Sequence, residues 1–213
     1  QDKNGQLPPH TTANNFTSLL IPDSLVSTLR AMEINQPTPI QAATIALAIE
    51  GKDIMASAQT GTGKTLAYVL PLLARLLASN DGNALILAPT RELAVQVRDT
   101  IYKLLGKKPL CHMALLIGGE SMGKQFAQLR NRPRSIVGTP GRIYDHLNRG
   151  NLNLKQVNYL VVDESDRMLD MGFGIQIEKI IDQMADKRQT LMFSATMPAQ
   201  IVKMSARYLV KPE

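Results

Sequence analysis

The amino-acid sequence predicts an α/β fold, a mostly parallel sheet with helices on both faces. Six strand-length aliphatic runs recur along its 213 residues, amphipathic stretches separate them, and several runs end in a Thr or Pro that opens the next helix. The runs at 53–58, 84–89, 112–118, 135–139, 159–163 and 190–196 are mostly apolar on consecutive residues. Strands buried on both faces of a parallel sheet read in this way, whereas half-exposed strands alternate. Between them, 65–78, 91–105, 121–130, 142–150 and 175–185 carry helical spacing, with Pro71 placed to kink the first. A hydrophobic fraction of 44% supports one substantial core, so a single domain is expected.

Taken in order, residues 1–15 are polar, include Pro8 and Pro9, and read as a flexible lead-in; 16–213 form the folded domain. The first strand runs into "ASAQTGTGKT" (56–65). From Ala58 the spacing follows G-x-x-x-x-G-K-[ST], with Ala58 in place of the first glycine and Gln59, Thr60, Gly61, Thr62, Gly63, Lys64 and Thr65 completing the loop. Such glycines let the backbone curl until its N–H groups converge on phosphate oxygens. The lysine adds charge near the β and γ phosphates, and the hydroxyl of Thr65 is suited to ligate magnesium. The loop is therefore expected to hold a nucleoside triphosphate.

Three later strands end in similar fashion, at Pro89-Thr90-Arg91, Thr139-Pro140-Gly141-Arg142 and Thr196-Met197-Pro198, so three helix N-termini are expected along one sheet edge. Exposed N–H groups and the positive helix end favour anions there. The run at 159–163 ends in Asp163-Glu164. Asp163 is suited to hold magnesium through its water shell, and Glu164 to orient and deprotonate an attacking water. With the phosphate loop about a hundred residues earlier, this pair points to hydrolysis.

Composition excludes several classes. Twenty-four Lys and Arg against eighteen Asp and Glu give a net charge of +6, which suits a polyanionic partner. Cys111 is alone, so a disulfide framework is excluded, a reducing cytoplasmic setting is expected, and His10, His112 and His146 form no metal-ligand pattern. No apolar run has membrane-spanning length, and a soluble, monomeric domain is expected. Met168, Met171, Met184, Met192, Met197 and Met204 read as core filler, and "RNRPR" (130–134) as a solvated loop.

These segments, in this order, resemble the DEAD-box family of ATP-dependent RNA helicases, specifically the first of that family's two RecA-like P-loop NTPase domains. The likeness runs from about Phe16 to Glu213. "QPTPIQ" (36–41) is similar to the adenine-reading Q motif, with Gln41 for the adenine edge and Phe16 to pack on the base. "AQTGTGKT" (58–65) resembles motif I, "PTREL" (89–93) motif Ia, and Gly118-Gly119 the glycine doublet. "TPGR" (139–142) is similar to motif Ib, "DESD" (163–166) to motif II, and "SAT" (194–196) to motif III. The resemblance implies ATP and Mg²⁺ as cofactors, with Lys64, Asp163 and Glu164 in the catalytic set. It implies RNA sugar-phosphate contacts, tolerant of sequence, at Pro89, Thr90, Arg91, Gly118, Gly119, Thr139, Pro140, Gly141 and Arg142. Asp166, Ser194 and Thr196 would couple nucleotide state to RNA binding.

Two positions depart from the pattern: Ser165 stands where the signature tetrapeptide has Ala, and Glu33 where the Q motif has Gly. The first leaves every carboxylate in place, so hydrolysis is expected to survive; the second bears on local backbone geometry. The chain also ends without the second RecA-like domain, whose arginines the resemblance sets across a cleft from the γ phosphate. The isolated chain is therefore expected to be nearly inactive. Two other readings are a nucleotide-gated RNA clamp with little turnover and a DNA-translocating P-loop motor; Gln41 and Phe16 argue against the motor.

Overall fold

The computed structural model describes residues 15–59, 63–106 and 112–213. Thr60, Gly61 and Thr62 of the phosphate loop, Cys111, and residues 1–14 of the lead-in lie outside them. The strands are β1 (Ile54–Ser57), β2 (Asn83–Leu87), β3 (Met113–Leu116), β4 (Ser135–Gly138), β5 (Val157–Val162) and β6 (Gln189–Ser194). They form one sheet in the order β1-β6-β5-β2-β4-β3, and every pairing is parallel. Because all strands point the same way, every strand-to-helix loop emerges at one edge.

The helices are α1 (Asp23–Ala31), α2 (Pro39–Ile49), α3 (Lys64–Ala78), α4 (Arg91–Leu105), α5 (Met122–Arg130), α6 (Pro140–Asn148), α7 (Ser165–Asp170), α8 (Gly174–Asp182) and α9 (Ala199–Tyr208). Two buried clusters explain why the strands are apolar on consecutive residues. Ala84, Ile86, Tyr159, Val161, Leu191 and Phe193 face one core with α1 to α4, while Leu85, Leu87, Leu160, Val162 and Met192 face a second with α6 to α9. Alternate residues of one strand thus feed opposite cores. No described helix is long and apolar enough to cross a membrane.

The strand bounds are shorter at their C-terminal ends than the apolar runs imply: β3 stops at Leu116 and β6 at Ser194. The residues beyond leave the sheet and form the loops at its C-terminal edge. Helix α3 continues through Pro71 from Lys64 to Ala78 without being split. Helix α2 escapes a search for amphipathic spacing because "PIQAATIALAI" is apolar on nearly every side. Met168, Met184, Met192 and Met204 are buried as expected, but Met171 and Met197 are 47% and 46% exposed and fill no core. Nor is the basic run at 130–134 merely solvated. Arg134 donates to the carbonyls of Leu76, Asp81 and Gly82, tying the end of α3 to the start of β2.

Candidate nucleotide and nucleic-acid edge

The sheet order divides the ligand edge in two. Strands β1, β6 and β5 are neighbours, so the phosphate loop, the Ser194–Thr196 segment and Asp163-Glu164 lie side by side. Strands β2, β4 and β3 are neighbours on the other half, bringing Pro89–Arg91, Thr139–Arg142 and Gly118-Gly119 together.

On the first half, Gly63 caps α3 in the left-handed region at φ 81°. A Cβ there would come 2.6 Å from Gln41 Nε2 and 3.0 Å from Thr38 Oγ1, so a side chain is excluded twice over. Lys64, the first residue of α3, is only 5% exposed. Its Nζ lies 3.0 Å from Asp163 Oδ1 and 3.7 Å from Glu164 Oε2. Asp163 is fully buried, and Oδ1, although at ion-pair distance from Lys64, lacks a directed hydrogen bond. Its other oxygen accepts from the Tyr68 hydroxyl at 2.7 Å. Burial, reinforced by the Asp163 charge, pushes the Tyr68 phenol well above its ordinary range, so it stays protonated and donates. A buried carboxylate oxygen free of hydrogen bonds, held against Lys64 at the start of α3, and the Thr65 hydroxyl on the next residue are hard-oxygen donors of the kind that fits Mg²⁺.

Glu164 adopts φ 45°, an uncommon conformation for a residue with a Cβ, and also lies 3.7 Å from Arg167. The Ser165 hydroxyl, absent from the usual tetrapeptide, is buried and donates to the Phe193 carbonyl of β6 at 2.9 Å. The substitution is therefore satisfied internally and leaves both carboxylates on the edge. Asp166 Oδ2 accepts from the Thr196 backbone N–H at 3.1 Å and its hydroxyl at 2.8 Å, while the Ser194 hydroxyl donates to the Thr196 carbonyl. Partial burial works to raise the Asp166 pKa, but hydrogen bonds from Thr196 and the Arg167 N–H outweigh it and hold the carboxyl below its usual range. Asp166, Ser194 and Thr196 are thus one connected unit.

Gln41 and Phe16 are less open than their sequence reading implies. Gln41 is 2% exposed; its oxygen accepts from the Thr38 N–H at 2.9 Å and its amide donates to the Gly63 carbonyl at 3.0 Å. It thereby ties the start of α2 to the phosphate loop. Phe16, also 2% exposed, packs within the core on a 3₁₀ turn (Phe16–Leu19). Ala58 is buried and its N–H continues the β1–β6 pairing by donating to the Ser194 carbonyl, while Gln59 is exposed.

On the second half, Thr90 caps α4 by accepting from the Leu93 N–H. The exposed Arg91 lies over Gly119, where a Cβ would come 2.5 Å from its Nη1. Thr139 and Pro140 begin α6. Arg142 donates from Nε to Gln125 Oε1 at 3.0 Å and from Nη2 to the Glu120 carbonyl, which joins α6 to the segment after the glycine doublet. Two further residues complete this network. Gln125, fully buried on α5, spends its amide N–H on the Ile117 carbonyl, so its oxygen accepts from both Arg142 and His146 Nε2. His146 Nδ1 then accepts from Asn151 at 3.2 Å, which fixes a neutral tautomer. Burial, and secondarily the Arg142 charge, hold His146 below the usual histidine pKa. Tyr68, Gln125 and His146 belong to no spacing motif. The sequence signal for Tyr68 is its position four residues after Lys64 on one helix face.

The sequence matches the DEAD/DEAH box helicase family over residues 38–204. It is 45% identical over 199 residues to the ATP-dependent RNA helicase CshA of Listeria monocytogenes, covering 93% of this chain and 38% of that protein. Identity to the DEAD-box ATP-dependent RNA helicase CshA of Bacillus subtilis is 42%, with 93% and 40% covered. The chain thus spans about two-fifths of the length of these curated relatives. Among solved structures, a DEAD box protein from the hyperthermophile Methanococcus jannaschii superposes with a TM-score of 0.89 at 41% identity, covering 94% of this chain and 55% of that one. The yeast DEAD-box splicing factor Prp28 gives 0.83 at 36% identity, covering 90% and 48%. A RecA-like sheet whose motifs fall on one edge in family order, matched over most of its length, makes this chain a member of the DEAD/DEAH box helicase family.

Proposed function

We propose that this chain is the ATP-binding half of an ATP-dependent RNA helicase that works in the cytoplasm on short duplexes or ribonucleoproteins. ATP would bind at the β1–β6–β5 half of the edge and the RNA backbone at the β2–β4–β3 half. The observation that supports this most is the convergence of Lys64, Asp163 and Glu164 at the start of α3, with Glu164 two residues from Asp166 of the Asp166–Thr196 unit.

In this reading Lys64 exchanges its carboxylate partners for the β and γ phosphates, and Glu164 accepts the proton of the attacking water. Thr65 and Asp163, the latter partly through water, would hold Mg²⁺, which supplies positive charge to the phosphate oxygens. Gln41 would use its second lone pair and second N–H for adenine, and the base would pack on the turn that carries Phe16. Contacts at Pro89–Arg91, Gly118-Gly119 and Thr139–Arg142 would grip sugar and phosphate without reading bases. Asp166, Ser194 and Thr196 would carry the state of one half-edge to the other. A second RecA-like domain would contribute arginines facing the γ phosphate.

The test is twofold. ATP is expected to outcompete GTP and UTP in a binding titration, and equal competition would remove Gln41 from the adenine site. Glu164→Gln in the two-domain protein is expected to slow hydrolysis by about 10²- to 10⁴-fold with ATP binding retained. Lost binding at an unchanged saturating rate would reverse the assignment.

A further inference from the structure

Asp163 has two oxygens in different situations. Oδ2 is engaged by the Tyr68 hydroxyl at 2.7 Å, whereas Oδ1 has no directed hydrogen bond and faces Lys64 Nζ at 3.0 Å. Both Tyr68 and Asp163 are fully buried, so no solvent competes for that contact. A carboxylate anchored through one oxygen cannot rotate about its Cβ–Cγ bond without breaking the anchor. Its other oxygen is then presented in a fixed direction.

The phenol is itself held from several sides. Its ring packs on Phe193 with centroids 5.4 Å apart and planes at 59°. The Tyr68 carbonyl accepts from the Tyr159 hydroxyl at 3.1 Å, and the Arg75 guanidinium sits 5.8 Å over the Tyr159 ring. Tyr68 lies one turn after Lys64 and three residues after Thr65 on α3. Its hydroxyl thus reaches Asp163 from the same helix that begins with Lys64 and Thr65.

We propose that Tyr68 is a positioning residue for the magnesium–nucleotide site, orienting Asp163 so that Oδ1 is directed to the cation. Magnesium demands near-ideal octahedral geometry, so a pre-aimed carboxylate binds it at less reorganisation cost than a freely turning one. Outer partners of metal ligands do this work generally, and their loss lowers metal affinity by about 10- to 100-fold. The inference rests on the nucleotide reading above and adds a residue to it.

The experiment measures ATP affinity of the 213-residue chain by calorimetry across a magnesium series and in EDTA. Wild type is expected to bind more tightly with magnesium; no binding in either condition defeats the nucleotide reading itself. Tyr68→Phe removes one oxygen and is expected to leave EDTA affinity unchanged while raising the magnesium concentration needed for tight binding about ten-fold. Tyr159→Phe removes the neighbouring buried hydroxyl, which does not touch Asp163, and is expected to shift the melting temperature but not the magnesium dependence. Tyr68→Phe added to Asp163→Asn is expected to cause no further loss. An unchanged magnesium dependence in Tyr68→Phe, equal weakening in EDTA, or an equal effect from Tyr159→Phe would each overturn the proposal. Should Tyr68→Phe fail to fold, Phe193→Leu keeps the phenol but loosens the ring braced against it. It is expected to show the same selective magnesium defect in weaker form, and a wild-type magnesium series there would overturn the proposal.

Discussion

Lys64, proposed above to serve a phosphate, is also a structural counter-ion. Its sequence position, after two glycines and before a threonine, reads as that of a phosphate-binding lysine with little core to support. Its 3.0 Å approach to the buried Asp163 gives it a second duty. Removing one member of a buried ion pair leaves the other charge uncompensated, at about 3 to 5 kcal/mol. Lys64→Ala is therefore expected to destabilise the domain by about 3 kcal/mol in urea unfolding, and Lys64→Met with Asp163→Asn to recover most of the loss. Wild-type stability in the single variant would show that the pair is not stabilising. The gathering of the motif residues on one sheet edge was legible because each follows a strand of a parallel sheet. Their internal partners were not: the spacing from Lys64 puts Tyr68 on that helix face without showing that it reaches Asp163 across 95 positions, and nothing local marks Gln125 as the residue that receives both Arg142 and His146.

Among the elements, α1 ends in a way that explains the Glu33 departure. The Ile34 N–H donates to the Leu29 carbonyl and the Glu33 N–H to the Arg30 carbonyl, a Schellman closure with Glu33 at φ 61°. That conformation costs a residue with a Cβ about 1 kcal/mol, and glycine escapes it. Glu33→Gly is expected to raise stability by about 1 kcal/mol in chemical denaturation; a loss would mean that the glutamate side chain outweighs the strain. The α5–α6 contact carries a pH signature. His146 is buried neutral, so the unfolded chain binds its proton more readily. Its contribution is fully present above about pH 6.5 and is lost as pH falls through that value toward the lower folded one. The urea midpoint is expected to fall between pH 7 and 5.5, and to fall less in His146→Asn. Of the elements themselves, the strands were legible as consecutive apolar runs and α3, α4, α5, α6 and α8 from helical spacing, whereas α1 and α7 were not read. Helix α2 was not, because its burial on nearly all sides erases the periodic signal.

At the scale of the molecule, both halves of the edge belong to one rigid sheet, yet the γ phosphate would meet only one wall. Arginines supplied from a separate domain raise phosphoryl-transfer rates by about 10³- to 10⁵-fold in other phosphate-loop enzymes. The chain alone is accordingly expected to bind ATP and RNA weakly with almost no RNA-stimulated turnover. Fusion to a second RecA-like domain is expected to restore turnover, and replacing that domain's arginines to abolish it again. Strong turnover by the chain alone would contradict a two-walled site.

The strand order also dictates when this site can exist during synthesis. Among the described strands, β1, which leads into the phosphate loop, pairs with β6, Ile54 against Leu191 and Ser57 against Ser194. A ribosome makes the first of these partners long before the second, and contacts so distant in sequence close slowly. Nascent chains that stop short of β6 would have Lys64 and Asp163 but an unpaired β1. They should bind no nucleotide and depend on chaperones to shield that bare strand until its partner emerges.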